Sequence, residues 1–564
     1  MKFKSIRSGA VSLFEDFCSN SSIHGVRYFT DRKVIRCEKA WWILVFSLSL
    51  ASCGLLIQQT YRKWEESPVI VSFVEKPTTV WQIPFPAVTI CPEAKSASWM
   101  LNYTAQFHTF LNQSQEERSA DIRLCHLTNR KKSNLLTVFN YYYRTDFFLA
   151  MTQICDRNCI ERMLHSAASI PNKTTDESYV ALIWLLRVPT DGLLVECSFL
   201  NEPFPCDTLF YPSLTEEGVC LTFNGLSSKD MHRLESLQGQ YPYVTSPFQS
   251  QLWSQENGYQ SQATFEAYPF RAGSGYSLGL SVYLSVDLLN HDPLCRGSTK
   301  GFKLLLHSPA EYPQITKKFV RVPINQEVTI AVKPQMITTT HGLQGYTPER
   351  RQCFFNQERH LQFFAIYTQD NCELECLTNY TLKLCGCVLF SMPRNESVAI
   401  CETNEIRCIW WAKNLLYDMG ITGNREEEIR FRSECNCLPA CSSVQYDEEI
   451  TQTQFDWKNW AETLGIQANR LEGIEFAHLA IYYKEPQFMP LRRSELYGTT
   501  DFLANCGGLL GLCLGVSLLS LVELLYFCLI RPFTLWKEKR SSTCSLEDLE
   551  APSISLLSYQ TKWE

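Results

Sequence analysis

A long apolar stretch near the end of the chain limits the possible folds more than any other feature. Residues 502–530 run for 29 positions with one charged side chain, Glu523. An α-helix rises about 1.5 Å per residue, so about 20 residues are enough to cross a bilayer. The stretch is therefore predicted to span a membrane, and it is too long for one straight, untilted helix.

The first half of this stretch carries small residues three and four positions apart, which on a helix form one partly polar stripe: Asn505, Gly508, Gly511 and Gly515. Ser517 lies two residues past Gly515 and off that stripe. We therefore expect the helix to unwind at Gly515-Val516-Ser517. Irregular backbone at membrane depth is tolerated only where it is buried in protein or lines a water-filled cavity.

Glu523 also indicates a water-filled path, because a carboxylate within a span usually marks an ion or substrate path. A simpler interpretation of the stretch alone is an anchor whose glycines form a helix dimerisation face. The rest of the chain is needed to choose between these two interpretations.

A second apolar run covers residues 41–57 and follows a basic segment, since residues 1–40 hold eight Lys/Arg against four Asp/Glu. The far side of the last run is basic as well, so the positive-inside rule predicts two spans with both termini cytoplasmic. The predicted organisation is a cytoplasmic segment at 1–40, a first span at 41–60, an extracellular domain at 61–500, a second span at 501–530 and a cytoplasmic tail at 531–564. We therefore expect a multi-pass protein of the plasma membrane.

Cysteine usage fits that topology, because 18 of the 25 cysteines lie in the extracellular domain. An even number at this density outside the cell predicts a disulfide framework. These residues are Cys91, Cys125, Cys155, Cys159, Cys197, Cys206, Cys220, Cys295, Cys353, Cys372, Cys376, Cys385, Cys387, Cys401, Cys408, Cys435, Cys437 and Cys441. Five sequons in the same region predict glycosylation, at Asn102, Asn112, Asn172, Asn379 and Asn395.

The extracellular domain has a mixed pattern. Strand-like segments lie at 85–91, 220–223, 278–286, 301–307 and 320–332, and helical patterning lies at 147–166, 373–384 and 404–418. The predicted fold class is an α+β membrane protein, with two transmembrane helices flanking a large disulfide-rich mixed α/β ectodomain.

Several other classes of protein are disfavoured. The net charge of −7 argues against a nucleic-acid binder. The cysteine spacings do not match a zinc knuckle, so no metal is expected, and no cofactor motif is present. Residues 275–279 match G-x-S-x-G, but strand patterning follows them where a hydrolase needs a helix. We therefore expect a non-enzyme.

An ordered set of motifs carries a family resemblance. These are His24-Gly25, FPAVTIC at 85–91, GVCLTFN at 218–224, the cysteine block 353–441 ending in Pro439-x-Cys441 with Tyr446, and Gly507-Gly508 through Gly515-Val516-Ser517 to Leu519-Ser520 and Glu523. With them the chain resembles the epithelial sodium channel/degenerin family, most of all its insect pickpocket branch. The resemblance implies a trimeric channel whose ectodomain is divided into palm, thumb and finger regions.

The resemblance also implies roles for single residues. Gly515, Val516 and Ser517 match the selectivity filter, Ala504 the gate position where bulk holds the pore open, and Gly511 the position associated with amiloride block. His24 and Gly25 match the cytoplasmic gating dipeptide. Glu523 would add a negative ring, and Asn505 and Gly508 would share the pore-facing stripe.

The predicted function is a sodium-selective, amiloride-sensitive, non-voltage-gated channel subunit that is opened by an extracellular sensory stimulus. Its partners would be permeant sodium, the lipid bilayer and related subunits in a homo- or heterotrimer, with no nucleic acid. The alternatives are a cell-surface receptor with two membrane anchors and an ATP-gated type of trimeric cation channel. No furin-like cleavage site and no proline-rich tyrosine motif are present, and the ectodomain sequence does not identify the stimulus.

Overall fold

The structure is a computed structural model that describes residues 2–66, 69–114, 147–148, 150–155, 178–237, 244–402, 405–421, 435–463, 465, 471–496 and 498–534. The chain divides into two units. The helical unit comprises Met1–Ile70 and Glu495–Glu564, and the β-rich unit comprises Val71–Ser494. Cys125, Cys159, Asn172 and most of the predicted tail lie outside the described residues.

The α-helices, in chain order, are α1 (Lys2–Asn20), α2 (Arg27–Thr30), α3 (Arg36–Glu66), α4 (Tyr103–Ser114), α5 (Ser178–Leu186), α6 (Cys206–Leu209), α7 (Ser228–Met231), α8 (Pro293–Arg296), α9 (Pro348–Arg351), α10 (Gln369–Cys385), α11 (Ile406–Ile421), α12 (Trp457–Thr463), α13 (Thr499–Leu514) and α14 (Leu518–Leu525). A π-helical turn, Tyr526–Ile530, continues α14.

The strands are β1 (Val69–Phe73), β2 (Thr78–Thr79), β3 (Ala87–Pro92), β4 (Leu194–Phe199), β5 (Glu202–Phe204), β6 (Phe210–Thr215), β7 (Gly218–Phe223), β8 (Trp253–Ser254), β9 (Gly258–Tyr259), β10 (Leu280–Asp287), β11 (Phe302–His307), β12 (Val320–Val322), β13 (Gln326–Thr339), β14 (Ser443–Gln454), β15 (Ile474–Tyr483), β16 (Gln487–Phe488) and β17 (Leu491–Glu495).

Two helical segments of the helical unit are candidate membrane spans. Among the described residues, α3 alone is long and apolar enough to cross a bilayer as one helix. The pair formed by α13 and the helix from Leu518 to Thr534 passes the same test as a broken span, with a bend of 77°. The predicted span 41–60 lies inside α3, and the break predicted at 515–517 is confirmed.

Two main sheets build the β-rich unit. The larger has the order β1-β17-β13-β15-β10-β4-β5, with β14 also paired to β13, and β13 runs parallel to both β15 and β17. The smaller has the order β12-β11-β3-β7-β6. A buried core joins inward-facing residues of the two sheets, among them Val88, Leu284 and Ile481, and this apolar burial is the main stabilising term.

The sequence predicted several of these elements but not their pairing. The segment 320–332 forms two strands, β12 in the small sheet and β13 in the large one. Pro323 lies between them, and proline has no N–H to continue a ladder. The G-x-S-x-G segment forms a 3-10 turn, Tyr276–Leu278, and leads into β10, as predicted for a glycine-rich turn before a strand.

Candidate functional site

The break in the last apolar stretch is built from two local caps. α13 ends at Leu514, and Gly515 caps it in the left-handed conformation with φ +68°, which glycine adopts without steric cost. Ser517 caps the start of α14, because its hydroxyl accepts from the N–H of Ser520 at 3.3 Å while the Ser520 hydroxyl accepts from the N–H of Ser517 at 3.1 Å. The interruption is therefore specified by residues within it.

The carbonyl groups at the end of α13 have defined partners. A helix leaves its last carbonyls without intrahelical donors. The Ser49 hydroxyl of α3 donates to the Cys513 carbonyl at 2.7 Å, and the backbone N–H of His24 donates to the Leu514 carbonyl at 3.0 Å. Both contacts fasten the end of α13 to segments far away in sequence.

The carbonyl groups of the next two residues, Gly515 and Val516, differ from these because they have no such partner in the described structure. Within the described part of the chain, no hydrogen bond reaches the carbonyl oxygen of Gly515 or Val516. A Cβ built on Gly511 would lie 3.8 Å from the Val516 oxygen, so this carbonyl faces the small-residue stripe. Two adjacent carbonyl oxygens at the break thus have no hydrogen-bond donor among the described residues.

The N-terminal segment before α2 packs against this break. Gly25 has φ +88°, and the turn it permits brings the ring of His24 against Gly515. A Cβ built on Gly515 would lie only 2.2 Å from Nδ1 of His24. Glycine is required here twice, by its backbone conformation and by the absence of a side chain.

A hydroxyl and carboxylate network lies beside this contact. Ser22 donates its N–H and its hydroxyl to Oε2 of Glu523, each at 3.0 Å. The Ser22 and Ser520 hydroxyls are 2.6 Å apart, and Ser520 is almost fully buried. Since Ser520 also bonds Ser517, the network connects the carboxylate to the cap of α14.

The end of α1 packs beside the last helix. Asp16 pairs with Arg531 at 3.2 Å, and the ring of Phe17 meets that of Phe527 edge-on at 5.6 Å. Sequence reasoning missed these contacts together with Ser22 and Ser49, because nothing local in the sequence signals a partner some 500 positions away.

A groove lies between the C-terminal half of α3 and the N-terminal half of α13. It has a volume of about 780 Å³, and Ala504, Asn505 and Gly508 line it opposite Gln59 and Lys63. The rings of Trp64 and Phe502 stack at 5.3 Å near its end.

The predicted site residues therefore form two groups. His24, Gly25, Gly515 and Glu523 belong to the assembly around the break, as do Val516 and Ser517. Ala504, Asn505 and Gly508 share the groove between α3 and α13, and Gly511 faces the break from α13.

The described cysteines of the β-rich unit are joined in eight disulfides. The pairs are Cys91–Cys220, Cys155–Cys295, Cys197–Cys206, Cys353–Cys441, Cys372–Cys437, Cys376–Cys435, Cys385–Cys408 and Cys387–Cys401. Three of them join α10 either to α11 or to the segment around residue 437. Of the sequon asparagines, Asn102 and Asn379 are exposed and Asn395 is half-buried. Asn112 belongs to α4, but its side chain is outside the described part.

A buried histidine joins the strands of the small sheet. His307 is bonded through Nδ1 to the Ser308 carbonyl and through Nε2 to the Thr89 hydroxyl, each at 2.9 Å. A carbonyl only accepts, so Nδ1 carries the proton and Nε2 accepts from Thr89. Burial lowers the pKa of His307 to about 4, and the ring is neutral at physiological pH.

Four cations and two carboxylates lie at one end of the same sheet. Glu217 pairs with Lys95, Arg296 and Lys303, and Glu93 pairs with Arg296 and Arg321. Burial opposes ionisation of Glu217, but the charges of Lys95, Arg296 and Lys303 outweigh it and hold its pKa well below the usual range. Burial lowers the pKa of Lys95 to about 8.

Comparisons with known proteins cover nearly the whole chain. A family model described as amiloride-sensitive sodium channel matches residues 17–527. Pickpocket protein 28 of Drosophila melanogaster is 26% identical over 532 residues, which cover 92% of this chain and 78% of that protein. Sodium channel protein Nach of Drosophila melanogaster is 25% identical over 521 residues, with 91% and 86% covered. Acid-sensing ion channel 4 of Mus musculus is 26% identical over 266 residues, 46% of each chain.

Proposed function

The chain belongs to the amiloride-sensitive sodium channel family, and from this premise we propose that it is a subunit of a sodium-selective, amiloride-sensitive channel in the plasma membrane. The channel is a trimer of this chain or of this chain with related subunits, and it opens in response to an extracellular stimulus without a voltage sensor. Both termini are cytoplasmic, with the spans at 41–60 and 501–530.

The observation that carries the proposal is the broken helix with free carbonyl oxygens at Gly515 and Val516. Carbonyl and hydroxyl oxygens replace the hydration shell of a small cation, and small residues allow the ring of ligands to be narrow. Three copies of the break around one axis would present such a ring. The Ser517 hydroxyl has two lone pairs and one proton, so it can contact an ion while it caps α14.

The N-terminal segment is the second element that we assign to the filter, beside the broken helix. His24 and Gly25 support the break through the contacts of His24 with Leu514 and Gly515. We propose that this segment holds the filter in its conducting shape from the cytoplasmic side, and that Glu523 concentrates cations there.

We place the gate at the groove between α3 and α13. Ala504 is small and lines the space between α3 and α13, so a larger side chain at this position would keep the helices apart. The same groove contains Asn505 and Gly508, which would line the outer pore. Gly511 is the proposed contact for amiloride.

Replacement of Ser517 tests the filter. An Ala504→Val background supplies current without a stimulus, and the reversal potential is measured in sodium and then in potassium solution. Ser517→Ala is expected to change the sodium-to-potassium permeability ratio, whereas Ser47→Ala, on an exposed face of α3, leaves it unchanged. Unaltered reversal potentials would remove Ser517 from the filter. A chain that reaches the surface but carries no current, alone or with related subunits, would favour an anchored receptor.

A further inference from the structure

Three neighbouring strands of the large sheet bring a serine, a histidine and a glutamate together. In the strand order β13-β15-β10, His478 lies opposite Glu327 on one side and opposite Tyr283 on the other. Ser281 precedes Tyr283 by two positions, so both side chains lie on the same face of β10. The register therefore places Ser281, His478 and Glu327 on one face of the sheet, within reach of one another.

The three side chains form a chain of polar contacts. Nε2 of His478 is 2.8 Å from the hydroxyl oxygen of Ser281, and Nδ1 of His478 is 3.5 Å from Oε1 of Glu327. A carboxylate only accepts, so Nδ1 carries the proton of the neutral ring and Nε2 accepts from the Ser281 hydroxyl. Enzymes that use serine as a nucleophile have the same order of contacts, in which the histidine removes the hydroxyl proton and the acid orients the histidine.

The neighbouring side chains hold this arrangement in place. The ring of Tyr283 stacks on that of His478, with the centroids 4.3 Å apart and an angle of 16° between the planes. The Tyr276 hydroxyl donates to Oε1 of Glu327 at 3.3 Å. Burial lowers the pKa of His478 and outweighs the opposite effect of Glu327, so the ring is neutral at physiological pH and able to accept a proton.

Two nearby serines lack such a base and serve as comparisons. Ser281 is half-buried. Ser198 lies directly opposite it on β4 and is half-buried as well, whereas Ser277 of the G-x-S-x-G segment is exposed. Among the described residues, the hydroxyl of Ser281 is hydrogen-bonded to a histidine and those of Ser198 and Ser277 are not. A difference in reactivity between these serines would therefore come from His478 and not from exposure.

We propose that Ser281 is a site of covalent modification that accepts acyl or phosphonyl groups from activated esters and fluorophosphonates. The Ser281 oxygen forms a bond to the electrophilic carbon or phosphorus, and the bond from that atom to the leaving group breaks. The hydroxyl proton passes to Nε2 of His478 and from there to the leaving group. Glu327 is a positioning residue, which keeps the Nδ1 proton of His478 on the side away from Ser281. This reactivity is independent of the proposed function.

The test treats purified full-length protein at neutral pH with a biotinylated alkyl fluorophosphonate, and peptide mass spectrometry measures the rate at which each serine is labelled. Ser281 is expected to react at least about 100 times faster than Ser198 and Ser277, which is the size of effect that a general base contributes. A rate at Ser281 no higher than at these two serines would overturn the proposal. Because the three serines are compared within wild type, the result does not depend on the folding of a variant.

Variants test the roles of the partners. His478→Gln should slow the labelling of Ser281 about 100-fold, whereas Ser277→Ala should leave it unchanged. In wild type the rate should rise with pH as His478 loses its proton. Glu327 and Glu196 both raise the pKa of His478, so Glu327→Gln should move the midpoint of this rise to lower pH, which a loss of packing alone would not do. An unchanged rate in His478→Gln or an unchanged midpoint in Glu327→Gln would overturn these roles.

Discussion

Ser22 donates both its backbone N–H and its hydroxyl to the same carboxylate oxygen of Glu523, each at 3.0 Å. The two residues are 501 positions apart. Their contact joins the segment that precedes the first span to the last span, beside the break at residues 515–517. Bonds to a charged acceptor are stronger than those between neutral groups, so this pair helps to fasten the N-terminal segment, together with the Asp16–Arg531 pair.

Ser22→Ala removes one of these two bonds and should loosen the segment. A hydrogen bond to a charged group contributes about 1.5 kcal/mol or more when buried, and Ser22 is exposed, so we expect a threefold to tenfold effect. The measurement is the rate at which a cytoplasmic methanethiosulfonate reagent modifies His24→Cys, which should rise in the Ser22→Ala background. Ser21→Ala is the control, because among the described residues its side chain bonds only the nearby N–H of Ile23. Equal rates in both backgrounds would contradict the fastening.

Gly515→Ala should disable the proposed filter. Alanine in the left-handed conformation costs about 1–2 kcal/mol, and its Cβ would collide with the ring of His24. We expect sodium current to be lost, or its selectivity changed, while surface expression is retained. Gly54→Ala on α3, where a Cβ meets nothing within 4 Å, should behave as wild type. Normal conductance and selectivity in Gly515→Ala would show that the His24 contact does not matter.

Ala504→Val should produce constitutive current. The added methyl groups would project into the groove between α3 and α13 and oppose their closure. The measurement is stimulus-independent, amiloride-blocked current in oocytes, with surface protein quantified by biotinylation. The neighbouring Leu503, which is largely exposed, supplies the control Leu503→Val. A silent variant at normal surface density would contradict the gate assignment.

Acid should destabilise the β-rich unit partly through His307. Its pKa is about 4 in the folded protein and near 6.5 when unfolded, so the unfolded chain binds the proton first as pH falls. Stability is therefore lost from about pH 6.5 down to pH 4, by at most about 3 kcal/mol for this group. Thermal unfolding of the full-length protein at pH 7 and pH 5 measures the loss.

His307→Gln should reduce that pH dependence, because glutamine keeps a donor and an acceptor and does not titrate. Part of the dependence should remain, since burial also lowers the pKa of His232 to about 4. His341→Gln, at an exposed position, is the control. Identical pH dependence in wild type and His307→Gln would refute the role of His307.

The sequence predicted the structure best where the interactions that form it lie between neighbouring residues. The break at 515–517 was predicted from the register of the small-residue stripe, because Ser517 lies two residues past Gly515 and off that stripe. The structure forms the break with Gly515 as the C-cap of α13 and Ser517 as the N-cap of α14. The helices at 373–384 and 404–418 followed from periodicity, and their observed bounds, Gln369–Cys385 and Ile406–Ile421, differ by a few residues.

The pairing of the cysteines could not be predicted from the sequence. Their number and compartment predicted disulfides, but not that Cys385 pairs with Cys408 while Cys387 pairs with Cys401. Each cysteine has many chemically equivalent partners, and only the packing of α10 against α11 selects among them.

By itself, then, the sequence determined the long apolar stretches, the break in the second one and the oxidised framework between them, because hydrophobic length and backbone preference act over a few neighbouring residues. The tertiary structure alone decided that Ser22 meets Glu523, that His24 covers Gly515 and that Ser49 bonds the carbonyl of Cys513. Such contacts depend on how whole helices pack, and a side chain carries no local signal of a partner hundreds of residues away.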